Sequence, residues 1–184
     1  MCGRYFLARE VSDEALLRIL ETLEAREEEC KRSGDIFPTD AAPALALGRI
    51  LTMRWGFPRP GGGQVVINAR SETATEKPLF RGALRCLLPA SGYYEWDGAK
   101  RRFAFTRPGG AVYMAGLWRP GADGVKRFVI LTREAPAPAR RIHTRMPVLF
   151  EGGMRRAWLD AKNSLPDLLR AAVDDVDCAE AQQG

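Results

Sequence analysis

Gly92-Tyr93-Tyr94-Glu95-Trp96-Asp97-Gly98 is followed, after Ala99-Lys100-Arg101-Arg102, by Phe103-Ala104-Phe105-Thr106. Two short apolar runs on either side of Asp-Gly predict an antiparallel hairpin, because Asp-Gly readily adopts the left-handed backbone of a tight turn. The same pattern recurs outward from it. Apolar runs at residues 44–47, 50–55, 65–67, 86–88, 112–117, 128–132 and 146–150 are separated by Gly, Pro and Asp turns at 58–63, 108–110 and 120–121. Many short strands at this spacing predict an α+β fold: a curved, mostly antiparallel, barrel-like β-sheet flanked by helices.

The helices are read from period and caps. Ser12 followed by Asp13 and Glu14 reads as an N-cap with acids in the first turn, and Leu16, Ile19, Leu20 and Leu23 form one apolar stripe, so a helix is expected from there to about Arg32, ended by Gly34. Met154 and Trp158 share a second helical face. Ser164 caps a third helix with Asp167 in its first turn and Leu165, Leu168, Leu169 and Ala172 as its buried stripe. The tail at 174–184 is acidic and polar and is expected to fray.

The chain of 184 residues with 46% hydrophobic content is expected to form one domain over 1–184, with its core at about 2–160. No run of 18 apolar residues and no secretory leader pattern is present, so a cytoplasmic protein without a membrane partner is expected, nucleoid-associated if bacterial. Cys2, Cys30, Cys86 and Cys178 are far apart with no C-x-x-C, which argues for reduced thiols and against a zinc site. No metal or cofactor is expected, and nothing demands more than a monomer. Residues 68–146 carry fifteen Lys and Arg against six Asp and Glu, while the whole chain is only +5. This basic middle, rich in arginine forks, suits phosphate; a solvated basic face fits the same count.

Four stretches carry chemistry. In Met1-Cys2-Gly3-Arg4-Tyr5, removal of Met1 leaves an amine and a thiol on adjacent carbons. An aldehyde condenses with the amine to an imine, and the thiolate then closes a five-membered thiazolidine; holding both nucleophiles on one residue gives an effective molarity of roughly 10⁵ M or more. In Asn68-Ala69-Arg70-Ser71-Glu72-Thr73, Asn68 and Arg70 point together from a strand end, or form a turn cluster. Glu95 lies between aromatics, either buried, where desolvation would raise its pKa toward neutrality, or facing outward on an edge strand. His143 in Ile142-His143-Thr144-Arg145-Met146-Pro147 is the single histidine, and serves either as a proton shuttle or as a structural residue.

In this order and spacing, these stretches, with Pro89-Ala90-Ser91 leading into the hairpin, closely resemble the SRAP family of abasic-site processing proteins, also called SOS response-associated peptidases, from Cys2 to about Trp158. The resemblance implies capture of abasic sites in single-stranded DNA as a covalent thiazolidine, with associated strand-cleaving lyase and reversal activities. It implies Cys2 as nucleophile, Asn68 holding the N-terminus and the opened sugar, Glu95 moving protons, and His143 assisting ring opening and reversal. It places Arg4, Arg70 and Arg145 on phosphates flanking the lesion, with Thr132, at the end of its strand, supporting the pocket on the DNA-binding side, where Trp55 and Pro38 also lie.

Three features depart from the family pattern. After Trp55-Gly56-Phe57-Pro58-Arg59-Pro60 comes Gly61-Gly62-Gly63 rather than a second tryptophan, Thr144 replaces a usual Asp, and a final strand segment is expected to be missing. Two other functions use the same residues: an amidase or autoprotease in which Cys2 attacks a carbonyl, and a DNA-binding module without chemistry.

Overall fold

The computed structural model describes residues 2–8, 10, 12–108 and 110–182. Met1, Gly109 within one expected turn, and residues 183–184 of the tail lie outside them. In chain order the elements are β1 (Arg4–Leu7), α1 (Glu14–Ala25), β2 (Gly34–Ile36), β3 (Ala41–Ala46), β4 (Arg49–Trp55), β5 (Asn68–Arg70), β6 (Leu84–Ala90), β7 (Gly92–Trp96), β8 (Arg102–Thr106), β9 (Val112–Pro120), β10 (Lys126–Glu134), β11 (Arg145–Pro147), α2 (Gly152–Leu159), α3 (Leu165–Arg170) and β12 (Asp177–Glu180).

The strands form two sheets. One has five strands in the order β12-β8-β7-β1-β2, all antiparallel. In the other, β10 pairs with both β4 and β9, so the path β4-β3-β6-β9-β10 returns on itself as a barrel-like ring, with β5 and β11 added on β10. Only β10 with β4 and β10 with β5 run parallel. The expected hairpin is present as β7 and β8, with Asp97 accepting at Oδ1 from the backbone N–H groups of Ala99 and Arg101 across the turn.

The core has two layers. Tyr5, Leu7, Tyr93 and Phe105 of the five-stranded sheet pack with Ala42, Met53, Trp55, Leu88, Met114, Phe128 and Ile130 of the other. Beyond the second sheet, Ile19 and Leu23 of α1, Trp158 of α2 and Leu168 of α3 cover Phe57, Leu87, Val129 and Val148. Each such buried aliphatic side chain contributes about 1.5–3 kcal/mol by leaving water. Packing therefore extends past residue 160, beyond the expected limit of the core.

Several boundaries differ from the sequence reading. The N-cap of α1 is Asp13, whose carboxylate accepts from the Leu16 N–H at 2.8 Å, and not Ser12. The helix ends at Ala25 rather than Arg32, because Glu27 takes a left-handed φ of 53° that a helix cannot continue through. The tail does not simply fray: β12 pairs with β8 from Asp177↔Thr106 to Glu180↔Phe103, supplying the final strand that was expected to be missing. Its side chains are all exposed, so its backbone ladder is its main tie, with one surface ion pair from Arg101 to Glu180 at 3.9 Å. Gly56 and Gly92 mark tight approaches: a Cβ on Gly56 would stand 2.6 Å from Val65 Cγ2, and one on Gly92 2.5 Å from the Phe105 carbonyl.

Candidate active site

The site forms where the N-terminal end of β1 meets β5 and β7. Antiparallel pairing sets Arg4 against Tyr94 and Tyr5 against Tyr93, and the next step of this register brings the Cys2-Gly3 end alongside Glu95. Alternation along β7 turns Tyr93 and Glu95 inward and Tyr94 and Trp96 outward. On the other side, β5 lies parallel to β10, with Asn68 against Ile130. Asn68 then donates from Nδ2 to the Cys2 carbonyl oxygen at 2.7 Å.

Cys2 is fully buried, and its thiol donates to the Arg4 carbonyl at 3.7 Å. Burial, with Glu95 close enough to add to it, pushes the thiol well above its ordinary range, so the resting group is S–H. Glu95 is 3% exposed, which decides between its two sequence readings in favour of the buried one. Removal from water pushes its carboxyl up to about 7. A carboxyl poised there can accept or return a proton at neutral pH. Tyr5 and Tyr93 are buried close to Cys2, Tyr5 with its ring 5.2 Å from Trp55 and Tyr93 stacked 4.9 Å from Phe105.

His143 precedes β11. Its Nδ1 lies 3.0 Å from the Arg145 backbone N–H and 3.2 Å from the Arg145 carbonyl, so one ring nitrogen is held by that residue's backbone. Partial burial lowers its pKa below the ordinary value, so the ring is neutral at pH 7. The pairing of β10 with β5 and with β11 sets Thr132 against both Arg70 and Pro147, so the His143-Arg145 segment and the end of β5 share one end of β10.

The expected DNA-binding residues separate on inspection of their surroundings. Arg70 is exposed. Arg4 is held by Asp35 at 3.3 Å, with its guanidinium 4.5 Å over the Phe37 ring and 5.4 Å over Trp96. Arg145 grips Glu72 through two bonds of 2.7 and 2.8 Å and also donates to the Thr132 carbonyl at 2.6 Å. Pro38 lines, with Thr39, Gln64, Val65 and Ile67, a cleft of about 430 Å³ next to Asn68. Trp55 requires correction, and Thr132 lies in a supporting position. Trp55 is fully buried, stacked with Phe128 and donating from its indole to the Ile67 carbonyl at 2.9 Å, and Thr132 is also fully buried. Neither presents a face to a strand; Trp55 supports the floor beneath β5, and Thr132 anchors Arg145.

Residues not singled out from sequence also shape the site. Glu72 lay within a quoted motif, and its spacing from Asn68 was the available signal; Arg145 holds its carboxyl below the usual range. Asp35 and Phe37 carried no sequence signal, since only the pairing of Tyr5 with Ile36 brings them beside Arg4.

Cys2 pinned at its carbonyl, beside a buried carboxyl that burial raises toward neutrality, is the arrangement around which this class of protein is built. The chain belongs to the SRAP (SOS response associated peptidase) family, whose model matches residues 1–182. It is 29% identical over 212 residues to the abasic site processing protein YoqW of Bacillus subtilis, covering 100% of this chain and 92% of that one. It is 34% identical over 154 residues to abasic site processing protein YoaM of the same organism, covering 73% and 68%. The abasic site processing protein HMCES of Xenopus tropicalis is 29% identical over 150 residues, but there the match takes in 60% of this chain and 45% of the relative. Among solved structures, a Bacteroides thetaiotaomicron protein superposes with a TM-score of 0.78 at 19% identity, over 98% of this chain and 92% of that one. A Bordetella bronchiseptica protein does so at 0.75 and 25% identity, over 99% and 100%.

Proposed function

We propose that this protein processes abasic sites in single-stranded DNA by covalent capture through Cys2. The observation that carries the reading is the 2.7 Å hydrogen bond from Asn68 to the Cys2 carbonyl, which fixes the one residue able to present amine and thiol together. Support for the substrate comes from the names of its relatives as abasic site processing proteins.

Removal of Met1 frees the Cys2 amine. An abasic deoxyribose rests mainly as a closed hemiacetal; the neutral His143 ring takes the proton of the anomeric hydroxyl and returns one to the ring oxygen as the ring bond breaks, so that opening leaves the histidine unchanged. The amine lone pair attacks the aldehyde carbon; the carbinolamine then loses water, with Glu95 delivering the proton to the departing hydroxyl. The Cys2 sulfur adds to the carbon of the protonated imine, its proton passing to the Glu95 carboxylate while the C=N electron pair returns to nitrogen, so ring closure consumes nothing further and restores Glu95. A carboxyl near 7 is matched to both transfers. Before closure the imine permits β-elimination and strand cleavage; after it, the saturated carbon does not. Return of a proton from Glu95 to sulfur lets the nitrogen lone pair expel the thiol and re-form the imine, and addition of water to that imine releases the sugar aldehyde and the free amine. Single-stranded substrate needs no extrusion from a duplex.

The test is incubation of the Met1-processed protein with single-stranded DNA carrying one abasic site. A heat-stable adduct absent in Cys2→Ala supports the reading, and its absence in the wild-type protein rejects it.

A further inference from the structure

The outer side of the barrel-like sheet is covered in two places, by α1 on β3 and β4 and by α2 on β6, and the two helices make little contact with each other. Alongside α2 lies a cleft of about 490 Å³, a size that takes side chains or a small ligand. Leu45 and Leu87, set opposite each other by the pairing of β3 with β6, line it together with Leu159. Gly153 forms one edge, where a Cβ would meet no atom within 4 Å. Among the described residues, two arginines and no acid line this cleft. Arg155 lies 4.2 Å over the Tyr113 ring, whereas Arg156 is exposed and has no ion pair among the described residues.

A second observation lies next to it. Leu47, at the tip of the β3–β4 hairpin, is no more than about 7 Å along the chain from Leu45. It is 67% exposed, the highest exposure of any large apolar side chain among the described residues. Leu47 and Gly48 both take left-handed backbone, with φ of 53° and 68°, a turn that Asn-Gly fits and that a leucine enters only at a cost. Neither the exposure nor the conformation serves the fold, whereas an apolar partner surface would cover Leu47 and the cleft floor together. Nucleic acid suits the place poorly. No aromatic ring lines the cleft to stack a base, and α1 exposes Glu21 and Glu24 over the same sheet, against a polyanion. A single carboxylate on the Arg156 side meets no such repulsion.

We infer that this face docks a short segment of a partner protein, with aliphatic side chains on Leu45, Leu87 and Leu47 and one carboxylate on Arg156. It lies on the far side of the sheet from the core layer that holds Cys2, so docking and capture are read separately. A phage-displayed library of random twelve-residue peptides is selected on the wild-type protein. Enriched peptides are then synthesised with a fluorescent label and titrated by anisotropy against wild type, Gly153→Leu, Gly153→Ala, Leu47→Asn and Arg156→Glu, with a thermal melt of each. The enriched peptides are expected to carry aliphatic residues and an aspartate or glutamate. Gly153→Leu, which fills the cleft, and Leu47→Asn should each weaken them at least tenfold, while Gly153→Ala binds within about twofold of wild type. Neither loss reflects unfolding if Gly153→Leu melts no lower than wild type and Leu47→Asn melts about 2–4 °C higher, as relief of the turn predicts. Arg156→Glu should weaken binding about tenfold, and exchanging the peptide's acid for lysine should restore it. The inference is overturned if no peptide is enriched, if Gly153→Leu binds the enriched peptides like wild type, or if they are basic. Displacement of the peptide by undamaged single-stranded DNA of twelve nucleotides also overturns it, as does a dimer in sedimentation equilibrium that Gly153→Leu abolishes, which would assign the face to a second copy of the chain.

Discussion

Asn68 donates from its side-chain amide to the backbone carbonyl of Cys2 at 2.7 Å, joining β5 to the very start of the chain across 66 residues. A chain end is otherwise free to fray. Asn68→Ala removes the donor, and Asn68→Asp sets a carboxylate against the carbonyl. Both are expected to slow adduct formation, by about tenfold for the alanine and more for the aspartate, since misplacement of a nucleophile by an ångström costs up to about 100-fold. Rates followed on denaturing gels decide this; an Asn68→Ala rate equal to wild type would show that the bond does not position Cys2.

Glu95 gives a pH signature in stability. Burial raises its carboxyl from 4.5 to about 7, so the folded state holds the proton more tightly than the unfolded chain. Its contribution is fully present below about pH 4.5 and is lost as pH rises to about 7, a change of about 3 kcal/mol. Glu95→Gln does not titrate there. Melting temperatures of the two proteins are therefore expected to diverge between these pH values, with the glutamine variant the more stable above pH 7 and slower in capture. Parallel curves across that range would contradict the assignment.

His143, neutral at pH 7 because partial burial lowers its pKa, is expected to relay the proton of the sugar hydroxyl. His143→Ala should slow capture about 100-fold, within the usual range for loss of a general acid, with partial recovery on adding imidazole to the solution. A structural histidine would give no such recovery.

Arg70 and Arg145 are expected to differ although both are arginines of quoted motifs. Exposed Arg70→Ala should weaken single-strand binding uniformly and lower the salt slope by about 0.7. Arg145→Ala breaks the double bond to Glu72 and the bond to the Thr132 carbonyl, so its first effect is a lower melting temperature, by roughly 1–3 kcal/mol of stability. Salt-dependent titrations and melts on the two variants separate these effects; equal salt slopes and melts would remove the distinction.

The contrast between Glu95 and Trp55 shows what the letters could carry. The hairpin, the strand pattern and the reactive residues were legible because each depends on local chemistry: an Asp-Gly turn, apolar alternation, a cysteine after Met1. Whether Glu95 faced inward was settled only by the register of β1 on β7, and the same long-range pairing buried Trp55 beneath β5. The strand Asp177–Glu180 has no apolar face to read, because its side chains are exposed and its pairing with β8 is made by the backbone. The run Glu27-Glu28-Glu29 suits an exposed helix as well as a loop, so only the left-handed turn at Glu27 ends α1 where it ends.

The most direct measurement is the intact mass of Met1-processed protein after incubation with single-stranded DNA bearing one abasic site. Covalent capture requires a species at the summed masses less one water, stable to heat and absent in Cys2→Ala. Unmodified protein alone, or an adduct that persists unchanged in Cys2→Ala, would contradict capture through Cys2.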